Sequence, residues 1–507
     1  MNVYLLSLLV FSPLLGIVMV ALMPKNEGRT IKQFGFFGTL PPLFLSFFLC
    51  GQYYSGVALS LFDIKLNWIR FGNLEMYDPK LFTVDFELGL DGLSLIFILL
   101  TTIISTLAAI ASIYIKKEWK GYYLLFLILE IGMLGVFTAE NLILFFIFFE
   151  MTLIPAFFLI GRWGFLEREK ASYSFLIYNG IGSAVLLVAI LILFARTGTT
   201  NIAALTQMMT MGGVSLFAPI SGSMKYGLCL AFLVAFAIKL PVFPFHSWMV
   251  RVHAEAPPSI VMIHAGVLLK IGAYGIIRFG MGIFPEQYKS LAFTIVLFGV
   301  LSFLYGAFLA LIQTDFKLVL AYSSISHMGI VMMGLGALNE AGIQGAIFQV
   351  ISHGLIAALL FFLVGVLYER TGTTMLPKLG GLAKSMPIFS GFMLACGMAS
   401  LGLPGMSGFI SEFMVFLGLF KSQPLLAAIG VIGLVLTAVY VLRAVMQMTF
   451  GKNDSLIEKE KWDLRSWEFF PALVLLALII SVGVYPNLLG GPLQGTIEAM
   501  MLALGGR

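Results

Sequence analysis

The sequence predicts an all-α polytopic membrane protein of about 14 transmembrane helices. Three observations lead there. Of its 507 residues 60% are hydrophobic and only 11% charged, with a mean hydropathy of +1.01, a balance foreign to soluble globular proteins. Apolar runs long enough to cross a bilayer, roughly 20 residues each, recur along the chain. No polar block is long enough to fold as a soluble domain of its own.

The runs fall near 3–22, 31–51, 90–114, 121–138, 142–161, 172–195, 226–250, 258–279, 289–312, 315–338, 341–368, 387–420, 425–449 and 467–490. Short loops carrying charge, glycine or proline separate them. The first run has spanning length and no basic residue ahead of it, so it reads as a helix rather than a cleaved leader. Cys50, Cys229 and Cys396 are isolated and form no CxxC, so neither a disulfide framework nor an iron–sulfur cluster is expected. The net charge of +5 is small and spread over short loops. It reads as a topology signal in a lipid bilayer, with no nucleic-acid partner. With the N-terminus outside, nineteen of the 30 lysines and arginines face the inside and nine the outside, and Lys239 and Lys270 lie within spans. That asymmetry places both termini outside.

Two spans are interrupted, the seventh at Leu240-Pro241 and the twelfth at Leu403-Pro404. If spans 4–8 (residues 121–280) form one repeat and spans 9–13 (281–450) another, each interruption falls in the fourth helix of its repeat. Five is odd, so the copies are inverted, as in transporters whose working sites lie at such breaks. Residues 1–120 then form an N-terminal three-helix segment, and 451–507 a C-terminal loop and last helix.

Against this apolar background the ionisable residues stand out. Glu150 lies near the centre of span 5, Lys239 at the break in span 7, Lys270 in span 8, His327 in span 10, His353 in span 11 and Glu412 after the break in span 12. Ionisable groups at membrane depth are costly and mark ion or proton pathways. A lysine out of water favours its neutral form, a nearby carboxylate favours the charged one, and the two titrate as a unit. Histidine exchanges protons near neutral pH and suits the links between them. Freed backbone at a helix break can hold water.

Other residues have simpler readings. His246 follows the break and can satisfy freed backbone, or belong to the path. His253 and Glu255, in or near an inside loop, are candidates for proton uptake. Glu130 in span 4 and Glu140 in a loop are weaker candidates. Asp91 reads as a helix cap. His264 lies six residues from Lys270, about 240° around a regular helix, so it is expected to face elsewhere and be structural. His327 and His353 lack the second histidine pair that a four-helix haem protein needs. Nothing offers a nucleotide or flavin fold. No cofactor or metal is expected in this chain.

The segments KLPVFPFHSWMVRVHAEAPPS and HAGVLLKIGAYGIIRFG, with FELGLDGLSLIF, FFEMTLIPAFFLI, DFKLVLAYSSISHMG and LGLPGMSGFISEF, resemble the antiporter-like, proton-conducting membrane subunits of respiratory complex I. The resemblance runs from about residue 80 to 450. It implies fourteen helices, inverted five-helix repeats and broken helices seven and twelve. It implies that Glu150 pairs with Lys239 and that Lys270 lies at the channel centre. Lys270 then hands over to His327 and His353, and Glu412 is the terminal acid of the second half-channel. Glutamate at 412 differs from the lysine usual in members L and N and in sodium/proton antiporters. It also implies a bacterial plasma-membrane location, neighbouring antiporter-like subunits L and N as partners, and quinone and redox centres in partner subunits. The alternative is a subunit of a multi-subunit cation/proton antiporter or of a membrane-bound hydrogenase-type complex. A scaffold that only anchors its neighbours would tolerate neutral residues at all six positions.

Overall fold

The computed structural model describes residues 4–73, 80–210, 219–452 and 463–505. Lys459, Lys461 and Arg507, used in the orientation count, lie outside the described residues. Among the described residues thirteen helices are long and apolar enough to cross a membrane. They correspond to every expected span except the twelfth, which consists of two shorter helices, Pro387–Ser400 and Ser407–Ser422. The seventh is also divided, into Gly222–Lys239 and Ser247–Glu255.

Two expectations about the chain's periphery need correction. The last span ends at Val484, not near 490, because Pro486 follows; a further helix, Asn487–Ala503, then packs across the third span. The stretch between the second and third spans is an antiparallel hairpin, Ile64–Asn73 with Lys80–Leu88. It pins the outer loops: Thr83 N–H donates to Gly198 O at 3.0 Å, Glu140 N–H to Glu87 O at 3.0 Å, and the Asn201 amide to Glu87 Oε2 at 2.8 Å.

The loops meet by parity, as alternating crossings require. At one end Arg162, closing the fifth span, binds Glu118 before the fourth (3.0 Å), Lys116 binds Glu369 in the last turn of the eleventh (3.1 Å), and Arg370 beside it binds Glu468 of the fourteenth (2.6 Å). At the other end Arg278, closing the eighth span, binds Asp91, which caps the third by accepting from Ser94 N–H at 2.9 Å. The capping role read for Asp91 is therefore joined by an ion pair.

A latch occurs twice. Thr197-Gly198-Thr199-Thr200 follows the sixth span and Thr371-Gly372-Thr373-Thr374 the eleventh. Gly198 and Gly372 are both left-handed, with φ of 71° and 70°, a conformation that favours glycine. The Thr197 hydroxyl donates to Leu193 O and Thr199 O; that of Thr371 donates to Leu367 O and Thr373 O. Thr200 then donates to Asn141 Oδ1 at 2.9 Å and Thr374 to Asp315 Oδ1 at 2.8 Å. Asn141 and Asp315 are the N-caps of the fifth and tenth spans. Five crossings lie between the latches, so they sit at opposite ends of the molecule.

The eighth span, Pro258–Met281, is the axis of the fold. All its residues except Pro258 and Arg278 are buried, which suits a helix apolar on most sides. It is not a regular α-helix: π turns at His264–Leu268 and Ile276–Met281 flank Lys270, and Leu269 N–H bonds His264 O at 3.1 Å. The sixth and thirteenth spans instead turn Ile177, Ile181 and Val188, and Ile432, Val435 and Val439, outward, where lipid would receive them.

Candidate functional site

Lys239 ends the first half of the seventh span, where the prolines at 241 and 244 cannot continue a helix. The carbonyls freed there find partners across the gap: Trp248 Nε1–H donates to Ile238 O at 3.2 Å, and Val242 N–H to Ala237 O at 3.1 Å. Phe243 N–H beyond the break reaches Ser302 Oγ at 3.0 Å. The Lys239 side chain is buried, and its Nζ has no hydrogen-bond partner among the described residues. It rests 4.9 Å from the Phe149 ring centroid and 5.7 Å from that of Phe175, a cation–π environment. Glu150 follows Phe149 on the fifth span, and its Oε1 is also unpartnered among the described residues. Neither Lys239 Nζ nor Glu150 Oε1 makes a hydrogen bond among the described residues.

Lys270 is fully buried, and its Nζ lies 2.5 Å from His353 Nδ1. His353 Nε2 lies 3.2 Å from Ser324 Oγ, which donates to Leu320 O at 3.0 Å. The network therefore assigns the His353 proton to Nε2 and leaves Nδ1 to accept from the lysine. The His327 ring centre is 5.5 Å from that of His353. His327 Nδ1 meets Gln349 Nε2 at 2.8 Å and Glu412 Oε1 at 3.8 Å. This corrects the expected order, because His353 stands between Lys270 and His327. The spacing of the two histidines on separate helices could not reveal that.

Gln349 is a partner the sequence reading missed. Its carbonyl accepts from Ser411, and Ser352 and Ser407 are 2.7 Å apart beside it. Gln349 and Ser352, with Ser323, Ser324, His327 and His353, line a cavity with room of about 20 Å³ for water centres. A water needs roughly 10–15 Å³ measured this way, and two to four polar partners. While Gln349 donates to Nδ1, His327 is neutral at that atom; a proton there would instead favour Glu412.

The remaining candidates divide. His246 is buried, 3.3 Å from the Tyr305 hydroxyl. His253 is not in a loop: it is fully buried in the last turn of Ser247–Glu255, a helix packed against the sixth and tenth spans, and Phe361 of the eleventh lies against its ring. Glu255 anchors a loop, its Oε2 accepting from Glu167 N–H at 2.9 Å. Glu130 is fully buried with both oxygens unpartnered, and nothing places it on the line.

Residues 139–437 match the family described as NADH:quinone oxidoreductase/Mrp antiporter, TM. The chain belongs to this family. The matched region contains Glu150, Lys239, Lys270, His327, His353 and Glu412. Within the family, the chain is 38% identical over 500 residues to NAD(P)H-quinone oxidoreductase chain 4 2 of Thermosynechococcus vestitus, covering 95% of this chain and 89% of that one. It is 34% identical over 499 residues to NADH-quinone oxidoreductase subunit M of Rickettsia prowazekii, covering 98% of each. Among solved structures it is similar to a chain of respiratory complex I from Thermus thermophilus with bound NADH, at 30% identity and a TM-score of 0.85, covering 98% of this chain and all of that one.

Proposed function

We propose that this chain is the antiporter-like, proton-translocating subunit M of a bacterial respiratory complex I. The observation that carries the reading is the buried line Lys270–His353–His327–Glu412, which joins the two halves of the chain through contacts of 2.5 to 5.5 Å. Quinone reduction and the redox centres belong to partner subunits, and antiporter-like subunits L and N are the expected neighbours in the plasma membrane. The chain acts in NADH:quinone oxidoreductase as a translocase subunit. Both termini face outside on the charge count, and the paired latches at opposite ends support an inverted repeat.

In this mechanism a proton taken up from the inside reaches Lys239, whose affinity Glu150 sets. It passes to Lys270, then to His353 and His327, and leaves past Glu412. Moving one charge against the membrane costs about 2.3 kcal/mol per 100 mV. One pKa unit is worth about 1.4 kcal/mol, so swings of a few units in lysine affinity are sufficient. Movement of Glu150 toward or away from Lys239 would supply such a swing.

The test is a pump assay on membrane vesicles carrying Lys239→Ala or Glu150→Ala in the intact complex. Proton pumping should fall while assembly persists; full pumping with full assembly overturns the role. A cation/proton antiporter or membrane-bound hydrogenase-type complex is the second reading, favoured by the family's own breadth. Co-purifying subunits decide between them.

A further inference from the structure

Arg278 stands eight residues beyond Lys270 on the eighth span, with Tyr274 midway between them. At 1.5 Å per residue the two cations are roughly 12 Å apart along the axis. On the charge count this span runs from inside to outside, so Arg278 lies between the central lysine and the outer face. Helix side chains lean toward the helix N-terminus, and Arg278 follows that rule. Its Nε–H donates to the Tyr274 hydroxyl, one turn inward, at 3.2 Å, and its guanidinium carbon lies 5.3 Å from the Tyr274 ring centre. Asp91, at the outer end of the third span, holds the guanidinium.

Space for outer water begins just beyond. Asp91 lines a cavity of about 810 Å³ with Tyr54, Gly92, Asn487 and Thr496, and the Thr496 hydroxyl donates to Asp91 Oδ2 at 3.3 Å. A conducting chain from this cavity to Lys270 would let protons return before they reached His353. The hydrogen bonds are arranged against such a chain. Tyr274 donates its single proton to Phe137 O at 3.3 Å. Ser94 Oγ, 3.1 Å from the Tyr274 oxygen, accepts from Arg278 Nη2 at 3.1 Å, so Ser94 is the donor to Tyr274. The Tyr274 oxygen therefore receives two donors, while its own proton ends on a carbonyl. A proton wire needs each oxygen to accept on one side and donate on the other. Phe97 and Phe137 set their rings against that of Tyr274, with centres 5.5 and 5.1 Å away, and make an apolar collar.

We propose that Arg278, held by Asp91 and Tyr274, is a fixed-charge seal that keeps protons of the outer water from returning to Lys270. The inference rests on the proton-translocating reading. A guanidinium keeps its charge at working pH and repels an approaching proton, as arginine does in pores that exclude protons. Its N–H groups also occupy the acceptor sites of Tyr274 and Ser94 that an incoming proton would need. Asp91 anchors the guanidinium from the cavity side and offers no step inward. Without the seal, water from the cavity reaches the Tyr274 hydroxyl. Neutral Lys270 then gains one proton and becomes the ammonium, and the outer water loses that proton.

The experiment places Arg278→Gln, Lys270→Ala and the Arg278→Gln/Lys270→Ala double variant in the intact complex in sealed vesicles. Two quantities are read: proton entry from the outer face at rest under an imposed pH gradient, and protons pumped per electron pair. In Arg278→Gln entry at rest should rise at least threefold and the pumped ratio fall by at least half, with electron transfer retained. The double variant should be tight again, because Lys270 no longer receives the proton. Asp91→Asn with Arg278→Gln is the second form of the test: it leaves no buried carboxylate unpaired, so failed assembly of the single variant does not end the question, and it should leak in the same way. Wild-type tightness in assembled Arg278→Gln, or in its pair with Asp91→Asn, overturns the proposal. A leak that persists in the Lys270→Ala background also overturns it, since that marks damaged packing. If Lys270→Ala alone pumps at the wild-type rate, the failure lies in the translocation reading itself.

Discussion

Lys270 Nζ and His353 Nδ1, 2.5 Å apart, join the eighth span to the eleventh across the middle of the chain. No carboxylate pairs with this buried lysine among the described ion pairs, so the imidazole is its partner. The contact can pass a proton only if the lysine can lose one. Lys270→Arg keeps the charge, but a guanidinium does not deprotonate at working pH. Pumping should fall at least tenfold, with the complex assembled, when followed by quenching of a pH-sensitive dye in vesicles. Full-rate pumping would falsify the central position of Lys270.

Gly402 and Glu412 make a second test. Gly402 has φ +78°, and a Cβ there would lie 2.7 Å from Glu412 Oε2. Gly405, at φ +90°, has open space around that position. Alanine at either carries the strain of a left-handed L-residue, roughly 1–2 kcal/mol. Only Gly402→Ala also displaces the carboxylate from His327. Both should lower thermal stability by a similar amount, while Gly402→Ala alone slows pumping, by at least threefold. Equal pumping in the two variants would remove Glu412 from the path.

Arg370 and Glu468 tie the eleventh span to the fourteenth. The pair is almost fully buried, and Tyr114 donates to the same carboxylate. Removing one member of a buried pair costs about 3–5 kcal/mol, whereas replacing both by apolar residues of similar volume is often neutral. Arg370→Ala should therefore reduce the amount of assembled subunit sharply, and Arg370→Met with Glu468→Leu should restore much of it. Quantitative blotting of native gels measures both. No recovery in the double variant would mean that the charges act beyond packing.

Most of the membrane architecture was legible, because run length and hydrophobicity act locally and survive any tertiary context. The errors arose where tertiary context set the geometry. The hairpin was missed although Phe82, Val84, Phe86 and Leu88 alternate with Thr83, Asp85 and Glu87, the period-two signal of a strand; a search for spanning length discards so short a pattern. The repeated Thr-Gly-Thr-Thr went unread, although the same spacing separates Asn141 from Thr197 and Asp315 from Thr371. The direction of His264 was reasoned from 3.6 residues per turn, across a π turn that no residue type announces. The order of His353 and His327 depends on helix packing and could not be read from the chain.

Glu140 offers a prediction outside the spans. It lies in the loop between the fourth and fifth helices, its side chain against Gly89. Burial pushes its carboxyl up to about 7, against the opposing pull of Arg278, while Asp91, Asp63 and Glu87 push it further up. Lys65 lies nearby but is engaged by Glu87 at 2.5 Å. The unfolded chain releases this proton near the ordinary value of 4.5, so between 4.5 and 7 the folded state holds more protons than the unfolded one. Stability must then fall as pH rises through that window and level off above 7. Discounted for partial exposure, the effect is roughly 1–2 kcal/mol. Glu140→Gln removes it: the variant's melting temperature should gain on the wild type from pH 5 to 7 and hold a constant lead above. Thermal unfolding of the purified complex at pH 5, 6, 7 and 8 measures the difference. A gap that does not change with pH would show that Glu140 is ionised throughout, with the Arg278 charge outweighing its burial.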